Sequence, residues 1–146
     1  MLRTFRAESP LFCRGEVYSR RMQIAAVAVS ATDLSRAVAF YELLGFRFPP
    51  IEAETKHIEA EGDVRLMIDE AAFLADLHGE APRPGNTAGF AILFGSPAEV
   101  DTAASRVADA GHTVVTPPYD APWGQRYATV ADPDGYRTDL FALLPI

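Results

Sequence analysis

The sequence predicts an α+β fold in which two tandem βαβββ modules form curved mixed sheets around a cup. Three observations carry this expectation. The segment "IAAVAVSATDLSRAVAFYELLGFRF" runs from an apolar strand through a helix-capping residue and an amphipathic helix to a glycine and a second strand, and "GFAILFGSPAEVDTAASRVADAGHTVV" repeats that order. Gly45 and Gly111, which close the two helices, lie 66 residues apart, as an internal duplication requires. Three short runs of strand character then follow each helix.

In the first strand, Val27 and Val29 are expected to face the helix and Ala26 and Ala28 the cup, because side chains alternate along a strand. Thr32 or Asp33 caps the helix, and Leu34, Val38, Tyr41 and Leu44 mark its buried face. Gly45 suits the left-handed position beyond it. Strands are expected at residues 46–51, 57–61 and 64–68, with Val64, Leu66 and Ile68 packing outward. "DEAAFLADLHG" reads as a short helix and "EAPRPGNT" as a linker.

The second module opens with Phe90, Ile92 and Phe94 on the outer side and Gly89 and Ala91 inward. Ser96 and Glu99 form a capping box, Pro97 takes the first helical position, and Val100, Ala104 and Val107 lead to Gly111. Strands are expected at 113–115, 125–131 and 137–144. The last two are joined by Asp132, Pro133, Asp134 and Gly135, all turn residues. Module one thus spans 22–70, the linker 71–87 and module two 88–146. A single helix covers only one face of each sheet, so pairing the units leaves the opposite faces to surround a cavity.

At 146 residues, 49% hydrophobic and 23% charged, the chain suits one soluble globular domain. No apolar run approaches the roughly 20 residues of a membrane span. A net charge of −7 argues against general nucleic-acid binding, so small molecules or proteins are the expected partners. Cys13 is alone, which excludes an internal disulfide and a cysteine-rich zinc cluster, and a reducing cytoplasm is expected. Residues 1–21 hold five of the thirteen Lys and Arg but two of the twenty acids, and read as an extension outside the core.

"DLSRAVAFYELLGF" and "DPDGYRTDLF", at corresponding ends of the two repeats, resemble the vicinal oxygen chelate superfamily. That group includes glyoxalase I, bleomycin-resistance and other antibiotic-binding proteins, fosfomycin-resistance enzymes and extradiol dioxygenases. The resemblance covers residues 22–144. It implies the fold, but not the reaction, because this fold hosts isomerisation, ring cleavage, conjugation and sequestration. Family enzymes hold one divalent metal with a residue from the first and the last strand of each half. The resemblance places Ala26, Gly89, Met67 and Asp139 at those four addresses, and only Asp139 is a hard-metal donor. Three or more converging N or O donors are needed, so no metal and no cofactor is expected. His57, His78 and His112 are expected to be exposed or hydrogen-bonded structural residues, with His57 the one that could face the cup from a strand.

"PPYDAPWGQRYATV" concentrates Tyr119, Trp123, Arg126 and Tyr127. It resembles the "WG" approach to the corresponding strand in bleomycin-resistance-type proteins. Trp123 either stacks on a flat ligand or plugs the end of the sheet, and Arg126 could pair with a ligand anion or with Asp139. Gln125, Arg126 and Tyr127 alternate faces, which leaves open which of them points inward. Met67, Phe141 and Leu143 make the cup apolar, and a carboxylate above an apolar floor suits a cationic or hydrogen-bond-donating ligand. The expected ligand-binding set is Trp123, Asp139, Met67, Arg126, Tyr127 and Phe141, with no catalytic residue assigned.

Three readings follow. The first is a metal-independent small-molecule-binding protein and homodimer that sequesters an antibiotic or aromatic metabolite. The second is a metal-dependent lyase, isomerase or dioxygenase with shifted ligands. The third is a dimeric module with no small ligand.

Overall fold

The computed structural model describes residues 24–85 and 89–146. The basic extension at 1–21 lies outside the described residues. Strand β1 (Ala26–Ala31) leads into helix α1 (Leu34–Leu43). Asp33 is the residue that caps the helix, its carboxylate accepting from the Arg36 amide at 3.1 Å. All four residues of the expected face are buried, joined by Ala37 and Phe40. Gly45 has a φ of 103°, the left-handed conformation that a side chain would strain.

Strands β2 (His57–Ala60) and β3 (Arg65–Glu70) complete the first sheet in the order β1-β3-β2, with β1 and β3 parallel and β2 antiparallel to β3. The expected strand at 46–51 does not form, so the first module is βαββ. Pro49 and Pro50 remove two backbone donors that a ladder would need. Phe46, Phe48 and Ile51 still pack against the core, which explains why the segment has strand-like alternation without strand pairing. Val64 also departs from expectation: it precedes β3 and is exposed. Helix α2 (Ala71–His78) follows and ends at Gly79, with all its residues half-buried or exposed.

In the second module, β4 (Phe90–Leu93) leads to α3 (Pro97–Asp109), where Ser96 Oγ accepts from the Glu99 amide at 3.3 Å and Pro97 opens the helix. Val100, Ala103, Ala104 and Val107 are buried. Strands β5 (Thr113–Ala121), β6 (Gln125–Ala131) and β7 (Arg137–Leu143) give the order β4-β7-β6-β5, with β4 and β7 parallel and the rest antiparallel. β5 is longer than its apolar start predicts. It continues through Pro117 and Pro118 because it is an edge strand, with irregular register between Val114 and Tyr119.

The duplication extends to single positions. Ala28 pairs with Met67 across β1 and β3, as Ala91 pairs with Asp139 across β4 and β7, and each last strand begins with an arginine. The helix-side faces merge into one core: Phe40, Tyr41, Leu66 and Ile68 from the first module join Val100, Val107, Val130 and Leu140 from the second. Each such side chain contributes about 1.5–3 kcal/mol on burial.

Polar links join the same modules. The Tyr41 hydroxyl donates to Asp132 Oδ2 at 2.7 Å, Thr32 Oγ1 donates to Asp134 at 2.8 Å, and the Ser30 and Tyr136 hydroxyls are 2.6 Å apart. Asp132 also accepts the amides of Asp134 and Tyr136, so the expected turn is both a hairpin end and the joint between modules.

Candidate functional site

Helices α1 and α3 cover one face of their sheets, and the other faces stay open. On the second sheet, Thr138, Leu140 and Ala142 are buried, which turns Arg137, Asp139, Phe141 and Leu143 to the open side. Register then decides the face of β6: Gln125 lies opposite Leu143, Tyr127 opposite Phe141, and Thr129 opposite Asp139. Tyr119 of β5 lies opposite Tyr127. Gln125, Tyr127, Thr129 and Tyr119 therefore share the face of Asp139.

Asp139 is half-buried between Ala91 on β4 and Thr129 on β6. Thr129 Oγ1 donates to its Oδ1 at 2.8 Å. Tyr127 lies one step along, its hydroxyl pKa pushed up to about 12 by desolvation first and then by the Asp139 carboxylate. Trp123, in the turn after β5, packs on Tyr127 with ring centroids 5.4 Å apart and on Tyr119 at 6.3 Å. Its indole N–H donates to Gln125 Oε1 at 3.0 Å. At 57% exposure the indole is not sunk into the sheet end.

Of the six residues expected to bind a ligand, the structure brings together Trp123, Tyr127, Asp139 and Phe141. Met67 is on the open face of the first sheet, between Ala28 and Glu59. Arg126 is a correction. It points to the helix side, where its guanidinium donates to Asp101 at 2.9 Å and Asp120 at 3.1 Å, so it does not pair with Asp139. Odd and even positions of β6 face opposite ways, and Tyr127 took the open side. Arg126 lines an outer groove of about 340 Å³ between α3 and β5, together with Ser105, Ala108 and Val114. That groove is shallow and its one arginine is already neutralised. A second groove of about 340 Å³ lies by Arg47, Phe48, Pro49, Glu59 and Glu61.

His57 faces the open side of the first sheet, since its partner in the ladder is Asp69 and the neighbouring Ile58 and Ile68 are buried. Its Nδ1 lies 2.6 Å from Asp69 Oδ1 and its Nε2 lies 3.0 Å from Glu59 Oε1, while Arg65 donates to Glu59 at 3.0 Å. The hydrogen bond to Asp69 raises the His57 pKa above its usual value, with Glu59 assisting against the effect of burial. Sequence reasoning missed this chain and Thr129, because cross-strand partners become visible only when register is known.

The divalent metal implied by the family resemblance does not fit this donor set. Of the four addresses, Ala26, paired with Arg65, and Gly89, just before β4, carry no donor, Met67 offers only a thioether, and Asp139 Oδ1 is held by Thr129. The two His57 nitrogens point in opposite directions, so Asp69 and Glu59 cannot converge with the imidazole on one ion. Among the described residues no group of three His, Cys, Asp or Glu side chains is placed to hold a metal.

The architecture has many counterparts. A glyoxalase/bleomycin resistance protein/dioxygenase from Nocardioides is 28% identical, with a TM-score of 0.65 over 88% of this chain and 87% of that one. A glyoxalase-related enzyme from Fulvimarina pelagi is 25% identical, with a TM-score of 0.71 over 84% and 88%. A lactoylglutathione lyase from Agrobacterium tumefaciens, at 22% identity, shares the fold with a TM-score of 0.61 over 85% and 96%. Among curated proteins no sequence matches significantly. The family model for the Glyoxalase/Bleomycin resistance protein/Dioxygenase superfamily matches residues 23–140, which takes in both modules and the joint between them. By that match and by its paired sheets, the chain belongs to the glyoxalase/bleomycin resistance protein/dioxygenase superfamily.

Proposed function

We propose that the protein binds a small organic molecule on the open face of its second sheet without using a metal, sequestering an antibiotic or an aromatic metabolite. One observation carries the reading: on that face a lone carboxylate, Asp139, sits beside an exposed aromatic cluster, and small residues occupy the positions where metal ligands would be needed. Trp123, Tyr127 and Phe141 supply the apolar contact and Asp139 the polar anchor, with Met67 contributing from the other sheet. An aromatic side chain with one fixed polar edge gives contact area at low entropic cost.

The same face favours a homodimer. Leu93 and Leu143 are 64% and 66% exposed beside the aromatic cluster, and a second copy covering them would convert two open faces into closed cups. Among the described residues no helix is long and apolar enough to cross a membrane.

A thermal-shift screen against metals, antibiotics and aromatic metabolites tests the reading. An organic ligand at 100 times its Kd stabilises the fold by about 2.7 kcal/mol, which is readily seen. Stabilisation by a divalent metal alone would instead support a metal-dependent lyase, isomerase or dioxygenase.

A further inference from the structure

We propose that the corner formed by Tyr119, Trp123 and Tyr127 beside Asp139 binds a quaternary ammonium group. The inference rests on the reading above, that the open face of the second sheet is the ligand-binding face, and it names the chemistry of the ligand.

The three rings stand nearly at right angles to one another. Tyr119 and Trp123 cross at 88°, Trp123 and Tyr127 at 81°, and Tyr119 and Tyr127 at 78°, with centroids 5.4–6.3 Å apart. Three edge-to-face contacts hold the rings at fixed mutual angles, and the aromatic faces left exposed carry negative potential that attracts a cation, most strongly for an indole. Trp123 and Tyr119 are exposed, and the bond from the indole N–H to Gln125 fixes the ring while satisfying its only polar atom.

Charge on the face agrees. Asp139 is on the Tyr127 side of β7 and supplies the counter-charge. The strands of this sheet contain two arginines: Arg126 is on the opposite face between Asp101 and Asp120, and Arg137 lies beyond Asp139, at the end of β7 away from Tyr127 and Phe141. The ring faces offer a primary ammonium no hydrogen-bond acceptor, so its three N–H groups would have to reach past them to the tyrosine hydroxyls or to Asp139, one of whose oxygens is already engaged by Thr129. A quaternary ammonium has no N–H to satisfy and carries methyl groups that fill an apolar corner.

Trp123 is the sole tryptophan of the chain, so its fluorescence reports on this corner directly. The full chain is titrated with choline, with its neutral isostere 3,3-dimethyl-1-butanol and with ethanolamine. Choline should change Trp123 emission saturably, both other compounds should bind at least about tenfold more weakly, and Asp139→Asn should bring choline down to the level of the alcohol. Equal binding of choline and the alcohol, or an Asp139→Asn variant that binds choline normally, would overturn the proposal. If choline leaves Trp123 unchanged while a compound from the thermal-shift screen perturbs it, this inference fails and the binding reading stands. If no compound perturbs Trp123, both fail.

Discussion

Thr129 Oγ1 donates a 2.8 Å hydrogen bond to Asp139 Oδ1 across β6 and β7, so the single carboxylate of the open sheet face is held by a neutral neighbour rather than by a cation. Among the described residues no cation pairs with it, which leaves its second oxygen open to a ligand. Thr129→Val should cost about 0.5–1.5 kcal/mol in chemical denaturation, the net value of one hydrogen bond, and leave the secondary structure unchanged. A loss beyond that range would mean that Asp139 is part of the structural framework.

Protein dialysed at neutral pH should carry no stoichiometric Zn, Ni, Mn or Fe, because three of the four ligand addresses, Ala26, Gly89 and Met67, hold no hard-metal donor. Elemental analysis checks this directly. One equivalent of bound metal would bring His57 and Asp69 forward as shifted ligands.

Trp123→Ala should leave the fold intact, with a stability change within about 0.5 kcal/mol, since an exposed side chain buries little on folding. Leu140→Ala, at a fully buried position, should cost about 2–5 kcal/mol. Unfolding of the Trp123 variant in a thermal melt would make the indole a structural plug.

Tyr41→Phe should destabilise the protein by about 1–3 kcal/mol, because it leaves the buried Asp132 carboxylate short of a donor at the joint between modules. Asp132 has its pKa raised, chiefly by burial, so the native state holds its proton more tightly than the unfolded chain. Its contribution is greatest below the ordinary carboxylate pKa and is lost as pH rises through the raised native value. Asp132→Asn should remove that component from a stability-pH curve.

His57 carries the opposite charge but the same sign of linkage. Its pKa is raised from 6.5, mainly by the Asp69 hydrogen bond, so its stabilisation is full below 6.5 and disappears as pH climbs through the higher native value. The effect should be small, since the imidazole is exposed, and Asp69→Asn should return the His57 titration, followed by NMR, toward 6.5.

Light scattering should give about twice the 15.9 kDa chain mass. A monomer at all concentrations would leave Leu93 and Leu143 exposed and place ligand binding on a single open face.

The sequence by itself determined the duplication, both long helices with their caps, the core face of α1 and the Asp132–Gly135 turn. These rest on short-range rules: helical periodicity, capping chemistry and the conformational freedom of glycine. It also singled out Asp139 and Trp123, since a carboxylate in an apolar strand and a lone indole among turn residues are visible without a fold. The tertiary structure alone decided which way β6 faces, and so sent Tyr127 to the open side and Arg126 to Asp101 and Asp120. It withheld a strand from residues 46–51 and joined His57 to Asp69, twelve residues apart, on neighbouring strands. Strand faces alternate with a period of two, so a local pattern fits either orientation equally well, and only pairing with a distant strand under a buried core selects between them.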